Sequence, residues 1–294
     1  MIKGIDVSSW QNKIDYAKVK QAGIAFVILR SGYGQTTEDQ MFATHLKGFQ
    51  EAGIQLHGVY WFMYAKSNVE ARANAEKALE IAKKYKLPKE CFIWCDVEYD
   101  TITNAKKHGV TLGRNEVNLF TVTFCEKIKE GGYRTGIYCN NDYRKNMYTQ
   151  ETLAKYPLWL ADYSGAPDVP CLYQQYTRSE KVAGVYPEGS VVDANYYFPE
   201  NDKKEPVQQV QKVANTLDKG DKGTAVKELQ QALILCRYDC GKSGADGDYG
   251  PATMEAVKTF QMENGLTADG IYGPKTKEKL MEFRRVVLLY NARK

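Results

Sequence analysis

Histidine is scarce in this chain. His45, His57 and His108 are the three in 294 residues, and none has a partner pattern at metal-ligand or triad spacing. A histidine-based metal centre is not indicated, and neither a metal-ligand cluster nor a Cys/His/Asp signature of a peptide-cleaving enzyme is present. No metal and no cofactor are expected. An excess of charge of one sign is also lacking: 40 basic and 36 acidic residues leave a formal net charge of +4. That balance is too mild to call for nucleic acid, and is compatible with weak attraction to an anionic polymer or with an evenly solvated surface. No apolar stretch approaches the ~20 residues of a membrane helix, so no membrane insertion is expected. The opening MIKGIDVSSWQ enters a strand-like pattern at once, without the apolar core of a signal peptide. The expectation is synthesis in a cytoplasm, with delivery by something else or removal of a leader. Even pairing is missing from the cysteines. There are 7, five of them in apolar strand or helix contexts, which reads as buried free thiols from a reducing compartment. Cys236 and Cys240 have no further Cys or His nearby to complete a zinc site, and a local disulfide there is the less favoured reading. Nothing in the pattern specifies an oligomeric state.

What is present is an ordinary globular composition, 43% hydrophobic and 26% charged, with an unusual supply of tyrosine. The 21 Tyr fall largely in strand-like runs, where the residue offers an apolar ring and a hydroxyl. Sugars need both, although most of these tyrosines are expected to be structural.

Up to residue 198 the chain shows eight strand-like segments, at 4–8, 25–31, 55–62, 91–98, 134–138, 157–162, 172–176 and 191–198. Several are short apolar runs of the kind covered on both faces. Helical patterns over 14–22, 40–52, 68–85 and 115–130 alternate with the early strands, and Asn68 is positioned to cap the third. One more short helix fits within 142–155. Only a Pro-containing segment separates strands six and seven, and no helical pattern separates seven and eight. Alternating β/α units over eight strands suggest a closed barrel, here an irregular one of five β/α units followed by three strands. Residues 199–215 shift to charge and proline. The expected division is a barrel over 1–200, a linker over 201–215 and a small module over 216–294. In the module Asp246-Gly-Asp-Tyr-Gly-Pro-Ala-Thr253 recurs as Asp269-Gly-Ile-Tyr-Gly-Pro-Lys-Thr276, each copy followed by a helical pattern. With the earlier helical spacing of Val226, Leu229 and Leu233, this makes a three-helix module. The tail over 284–294 reads as a helix extension or a packed strap.

The strongest chemical constellation is Ile93-Trp94-Cys95-Asp96-Val97-Glu98. Two carboxyls spaced by two share one face of a strand, and at the C-terminal mouth of a barrel that face meets the cleft. Glycosidic cleavage needs one protonated and one ionised carboxyl, and two close acids separate their own pKa values. Alone, D-x-E is more often a solvated strand end. Asp6 in strand one and Asp193 in strand eight strengthen it, because those strands adjoin in a closed barrel and face strand four. A carboxylate in an apolar strand context is costly unless paired. Trp10, Tyr33, Tyr60, Tyr64, Tyr138, Trp159 and Tyr163 gather at strand ends and suggest a sugar-stacking cleft, with Asn195 beside Asp193 as a further candidate contact.

In this order, GIDVSSWQ, GVYWF, D-V-E, GIYCN, PLWLADY, QQYT and VVDANYYF resemble family 25 glycoside hydrolases, the Chalaropsis-type lysozymes that include many phage endolysins. The resemblance covers nearly all of residues 1–198 and implies a (β/α)5(β)3 barrel that hydrolyses the β-1,4 bond from N-acetylmuramic acid to N-acetylglucosamine in bacterial peptidoglycan. It implies Glu98 as general acid, Asp96 as the acid assisting at the anomeric centre, and Asp6 and Asp193 as two further cleft carboxylates. It also implies retention of configuration, with Asp96 open between nucleophile and orienting group for the substrate's own N-acetyl. Strand spacing alone, ~6.6 Å between alternate Cα atoms, admits inversion or retention. Trp61 stands where many relatives have His, and Gln174 where Trp is usual, both as departures expected to touch subsite contacts. Residues 217–280, with the repeat and the Phe260-Gln261 pair, resemble the three-helix peptidoglycan-binding module of cell-wall hydrolases. Together these describe an endolysin-type muramidase held in a host cytoplasm until release. An endo-N-acetylglucosaminidase and a wall-binding lectin with an inactive barrel are the alternatives.

Overall fold

Eight extended segments pair into one closed sheet in the computed structural model, which describes residues 1–187, 189–202 and 216–281. They are β1 (Ile2–Val7), β2 (Phe26–Tyr33), β3 (Gln55–Phe62), β4 (Phe92–Asp96), β5 (Arg134–Asn140), β6 (Leu158–Ala161), β7 (Tyr173–Lys181) and β8 (Val191–Tyr197). From β1 through β7 each strand lies parallel to the next. The ring is completed by β8, which inserts between β7 and β1 antiparallel to both. Helices α1 (Tyr16–Gln21), α2 (Phe42–Glu51), α3 (Asn68–Lys84), α4 (Tyr99–Lys107) and α5 (Arg114–Glu130) occupy the first four crossovers, and α6 (Gln150–Lys155) the fifth. Among the described residues no helix stands between β6 and β7 or between β7 and β8. The irregular (β/α)5(β)3 barrel expected from the sequence is therefore the observed fold. By backbone contacts the chain divides into two units, Met1–Lys204 and Glu205–Lys294. Most of the expected linker and the whole tail over 284–294 lie outside the described residues.

Alternation along the strands sorts the side chains into two cores. Outward residues such as Val27, Leu29, Val59, Ile93 and Ile137 pack with helix residues including Ala75, Ala78, Phe120 and Phe124. Inward residues form a separate aromatic cluster of Phe26, Phe92, Trp94, Tyr138, Trp159 and Tyr173. A closed eight-strand barrel has a fixed cross-section, so rings of this size need small neighbours. Glycine supplies them: a Cβ on Gly4 would lie 2.5 Å from the Phe26 ring, and one on Gly136 only 2.3 Å from Trp94. At the closed end His57 stacks on Phe26 with ring centroids 4.4 Å apart, and its Nδ1 lies 3.1 Å from the Tyr173 hydroxyl.

Several local expectations are corrected. The cap of α3 is Ser67, whose hydroxyl accepts from Glu70 N at 3.2 Å. Asn68 instead accepts from Thr123 of α5 at 2.6 Å. Helix α4 has no strong sequence signature because only Thr101 and Ala105 are buried on it. The segment 142–155 holds a π-helical turn at Tyr143–Met147 as well as α6. Trp61 is fully buried on the outer face of β3, with its Nε1 donating to Gly34 O at 2.9 Å and Asn74 Oδ1 at 3.2 Å. Gln174 also faces outward, holding the carbonyls of Asp162 (2.8 Å) and Gly165 (2.6 Å). Neither departure touches the cleft. All seven cysteines are buried thiols outside any disulfide.

The second unit contains α7 (Thr224–Leu235), α8 (Pro251–Glu263) and a helix over 274–281. Its sequence repeat is a structural clasp. Gln230 Nε2 donates to Asp246 Oδ1, Asp248 O and Thr253 Oγ1 at 2.8, 3.1 and 2.9 Å, while its Oε1 accepts from Gly247 N at 2.8 Å. Gln261 repeats the pattern on Asp269 Oδ1, Ile271 O and Thr276 Oγ1 at 2.8, 2.9 and 3.0 Å, and accepts from Gly270 N at 2.9 Å. The glycine after each aspartate has a positive φ, +79° at Gly247 and +72° at Gly270, which explains the D-G pair. The proline opens the following helix at a position where no N–H is needed, as Pro251 does for α8.

Gly136→Ala should lower the urea midpoint of the barrel, because the new methyl also meets Pro157 O at 2.6 Å; overpacking of this kind costs about 1–3 kcal/mol. Gln261→Ala, which orphans the Gly270 amide, should destabilise the second unit by about 2 kcal/mol or more. Faster hydrogen exchange at Gly270, with the barrel amides unchanged, is the expected readout.

Candidate active site

The mouth of the barrel holds a cleft of about 910 Å³. Asp96 ends β4, and Glu98 lies two residues beyond, at the start of α4, with extended backbone (φ −130°, ψ −176°). Strand alternation therefore continues past the strand, and both carboxyls line the cleft while Val97 turns into the outer core. Thr101 fixes this turn: its hydroxyl donates to Met63 O at 2.8 Å and accepts from Glu98 N at 3.2 Å.

Asp6, near the end of β1, is directly opposite Asp193, near the start of β8. Like charges facing each other across a sheet repel, and two amides are placed to offset this. Gln175 Nε2 donates to Asp6 Oδ2 at 3.0 Å and to Asp193 Oδ2 at 3.3 Å. Asn195 Nδ2 donates to Asp6 Oδ2 at 2.8 Å. The Gln175 carbonyl in turn accepts from the hydroxyls of Tyr138 (3.0 Å) and Tyr163 (2.7 Å).

Burial dominates the electrostatics of all four acids. It pushes Asp6 well above the carboxylate range, reinforced by the charge of Asp193 and opposed by the Asn195 and Gln175 hydrogen bonds. Burial also pushes Asp96 well up, helped by the charges of Glu98 and Asp6 and opposed by Arg30. Glu98 is raised by burial, with the Tyr138 hydroxyl pulling the other way. Asp193 is pushed up to about 6 by burial, against the Arg178 guanidinium. Asp96 Oδ1 is buried without a hydrogen-bond partner among the described residues, a costly state unless a ligand fills it.

The cleft brings together Asp6, Asp96, Glu98, Asp193, Tyr33, Tyr60, Tyr138 and Trp159 from the sequence reading, as well as Trp10 and Tyr64. Trp159 is the floor: its ring meets Tyr138 edge-on at 4.7 Å and Tyr60 at 5.9 Å. Asn195, expected as a substrate contact, is fully buried beneath this floor and does not line the cleft. Its Oδ1 accepts from Trp159 Nε1 at 2.8 Å, so both ends of its amide are used inside the protein. Tyr163 is half exposed but is not a lining residue; it reaches the acids through Gln175. Sequence reasoning missed Gln175, Arg30 and Arg178. Polar residues in otherwise apolar strands were the available signal. Arg30 donates to Asp39 Oδ2 (2.7 Å) and Ser9 Oγ (2.8 Å), pinning the loop that displays Trp10, 83% exposed, at the rim. His45, without a readable partner in the sequence, supports the same loop through Ser8 O at 3.2 Å.

Paired carboxyls in unequal environments, above a floor of aromatic rings at the mouth of a β/α barrel, define a glycoside hydrolase site. The model of glycosyl hydrolases family 25 matches residues 5–185, and that of a putative peptidoglycan binding domain matches residues 222–280. The chain belongs to glycosyl hydrolase family 25. It is similar to the autolytic lysozyme of Clostridium acetobutylicum, 27% identical over 282 residues, which cover 90% of this chain and 74% of that one. Among solved structures it resembles the modular autolysin LytC of Streptococcus pneumoniae, with 25% identity and a TM-score of 0.58 over 67% of this chain and 46% of that one. The fold of the CTP1L endolysin is also similar, with 19% identity and a TM-score of 0.56 over 68% of each chain.

Asp193 binds its proton more tightly folded, at about 6, than at its ordinary value of 3.8. Its neutral form therefore favours the fold at low pH, and that contribution is lost as pH rises through about 6. Asp193→Asn should melt above wild type at pH 7, by roughly 2–4 °C per kcal/mol relieved, and the gap should close toward pH 4. Equal gaps at both pH values in thermal melts would contradict the assignment.

Proposed function

We propose that the chain is an N-acetylmuramidase. Its barrel hydrolyses the β-1,4 bond between N-acetylmuramic acid and N-acetylglucosamine, and its second unit holds it on peptidoglycan. The observation that carries this reading is the joint one: Asp6, Asp96, Glu98 and Asp193 gathered in a barrel-mouth cleft of a family 25 chain that also matches a peptidoglycan binding domain. The named activity of the Clostridium relative, a lysozyme, supports it. A binding unit on the same chain raises the effective concentration of the cleft at the wall.

In this mechanism Glu98 protonates the leaving glycosidic oxygen as the bond breaks, and later takes a proton from the water that completes hydrolysis. Asp96 acts at the anomeric centre. Burial raises both carboxyls above the usual carboxylate range, and Asp96 is the deeper of the two. Substrate assigns the proton by two effects. A sugar over the cleft strips water from the more exposed Glu98 and raises it further. The N–H of a 2-acetamido group can donate to the unpartnered Asp96 Oδ1 and favour its ionised form. The proton then sits on Glu98, where donation is needed, while ionised Asp96 orients the acetamido carbonyl toward the anomeric carbon.

Glu98→Gln should lower hydrolysis of purified walls by about 10²–10⁴-fold, the usual contribution of a general acid, with binding to walls retained. Asp96→Asn should cripple it without altering the melting profile of the second unit. Borohydride reduction of the digest should label N-acetylmuramic acid at the new reducing ends. Labelling of N-acetylglucosamine, or wild-type rates from Glu98→Gln, would overturn the reading.

A further inference from the structure

The cleft is lined by five carboxyls, Asp6, Asp96, Glu98, Asp100 and Asp193. Such a site repels an anionic substrate, and glycan strands of peptidoglycan are anionic. Every muramic acid carries a lactyl group, which ends in a free carboxylate or in an amide to a peptide with carboxylates of its own. Two guanidiniums share the cleft, Arg30 and Arg178. The first is already engaged by Asp39 and Ser9. Arg178 has no hydrogen-bond or ion-pair partner among the described residues, and its side chain is exposed.

The backbone aims it deliberately. The β7–β8 ladder pairs Gln175 with Asn195, then Thr177 with Ala194, then Glu180 with Val192. Tyr176 is therefore an extra residue in β7, and beyond it Arg178 and Ser179 face the single residue Asp193. A bulge of this kind breaks alternation and re-aims a side chain. Here the extra Tyr176 pairs Thr177 with the outward Ala194, so Arg178 follows Gln175 on the inward face and enters the cleft beside Asp193, whose carboxyl feels its charge. A guanidinium left unpaired at the rim of an acidic cleft is a ready receptor for a carboxylate.

We infer that Arg178 is a specificity-determining contact, receiving a carboxylate that the substrate carries beside the scissile bond. This rests on the muramidase reading. The carboxylate has two sources, the lactyl group itself and the attached peptide. The alternative role for the same side chain is electrostatic tuning of Asp193, which would act on every substrate alike.

Three forms of one soluble glycan fragment separate these roles: with intact peptides, with peptides removed so that lactyl carboxylates are free, and with all carboxylates converted to primary amides. The values of kcat/KM for wild type, Arg178→Gln and Arg178→Lys are measured on each by reducing-end release. Arg178→Gln should lose about tenfold on a carboxylate-bearing form, the size of a charge-assisted contact, and less than about twofold on the amide form. Arg178→Lys should recover most of the loss, and added salt should shrink it. Loss confined to the peptide-bearing form assigns the carboxylate to the peptide, loss confined to the stripped form assigns it to the lactyl group, and loss on both means that Arg178 receives either one. Equal loss on all three forms, or no loss on any, overturns the inference. Failure of the wild type to release N-acetylmuramic acid ends from any form would instead sink the muramidase reading on which it rests.

Discussion

The insertion of β8 between β7 and β1, antiparallel to both, is the constraint on which the site depends. In a strand that ran parallel to its neighbours, an acid near the start would lie toward the closed end of the barrel. Because β8 runs the other way, its third residue, Asp193, arrives at the mouth opposite Asp6. The same reversal sets Asn195 one inward step deeper, where its amide joins Asp6 to Trp159. It also makes the β7–β8 ladder antiparallel, and the bulge at Tyr176 in that ladder turns Arg178 toward Asp193. Closure of the sheet and assembly of the cleft are thus one event.

Below the acids the lumen is filled with rings, and those rings are what make the site chemically unusual. A floor of Trp159, Tyr138 and Trp94 excludes water, so carboxyls set on it hold protons at pH values where ordinary ones do not. The fold tolerates their proximity through a few shared hydrogen bonds, chiefly the Gln175 amide between Asp6 and Asp193. It leaves Asp96 Oδ1 without a partner among the described residues. Local rules are broken where function is expected to benefit.

The second unit shows the opposite relation between motif and role. Its repeated D-G-x-Y-G-P-x-T looks like a ligand signature, yet its aspartates, threonines and backbone groups are occupied by Gln230 and Gln261. Each clasp ties a turn to the preceding helix, and each tyrosine is buried beneath it. The motif builds the scaffold, so residues that meet the wall are to be sought on other surfaces of the unit.

Much of this was legible in the chain itself. The β/α count, the missing late helices, the D-x-E pair and the two further strand acids are local patterns, and local patterns follow from alternation and periodicity. The order of the segments resembling family 25, from GIDVSSWQ to VVDANYYF, identified the barrel without any tertiary information. What was not legible depends on which way a side chain faces. Trp61 and Gln174 lie in segments that resemble cleft strands, but both turn outward to helix or loop. Asn195 is on the inward face but fully buried, with both ends of its amide used inside the protein. Gln175 and Arg178 carry no motif; one is defined by four partners from separate strands and loops, the other by an irregular register. The sequence by itself determined the fold class, the acids and the modular plan, because these are written in spacing and residue type. Tertiary structure alone decided the direction of β8, the depth of each polar group and the aim of the bulge, because strand pairing sets these and no single segment contains its partner.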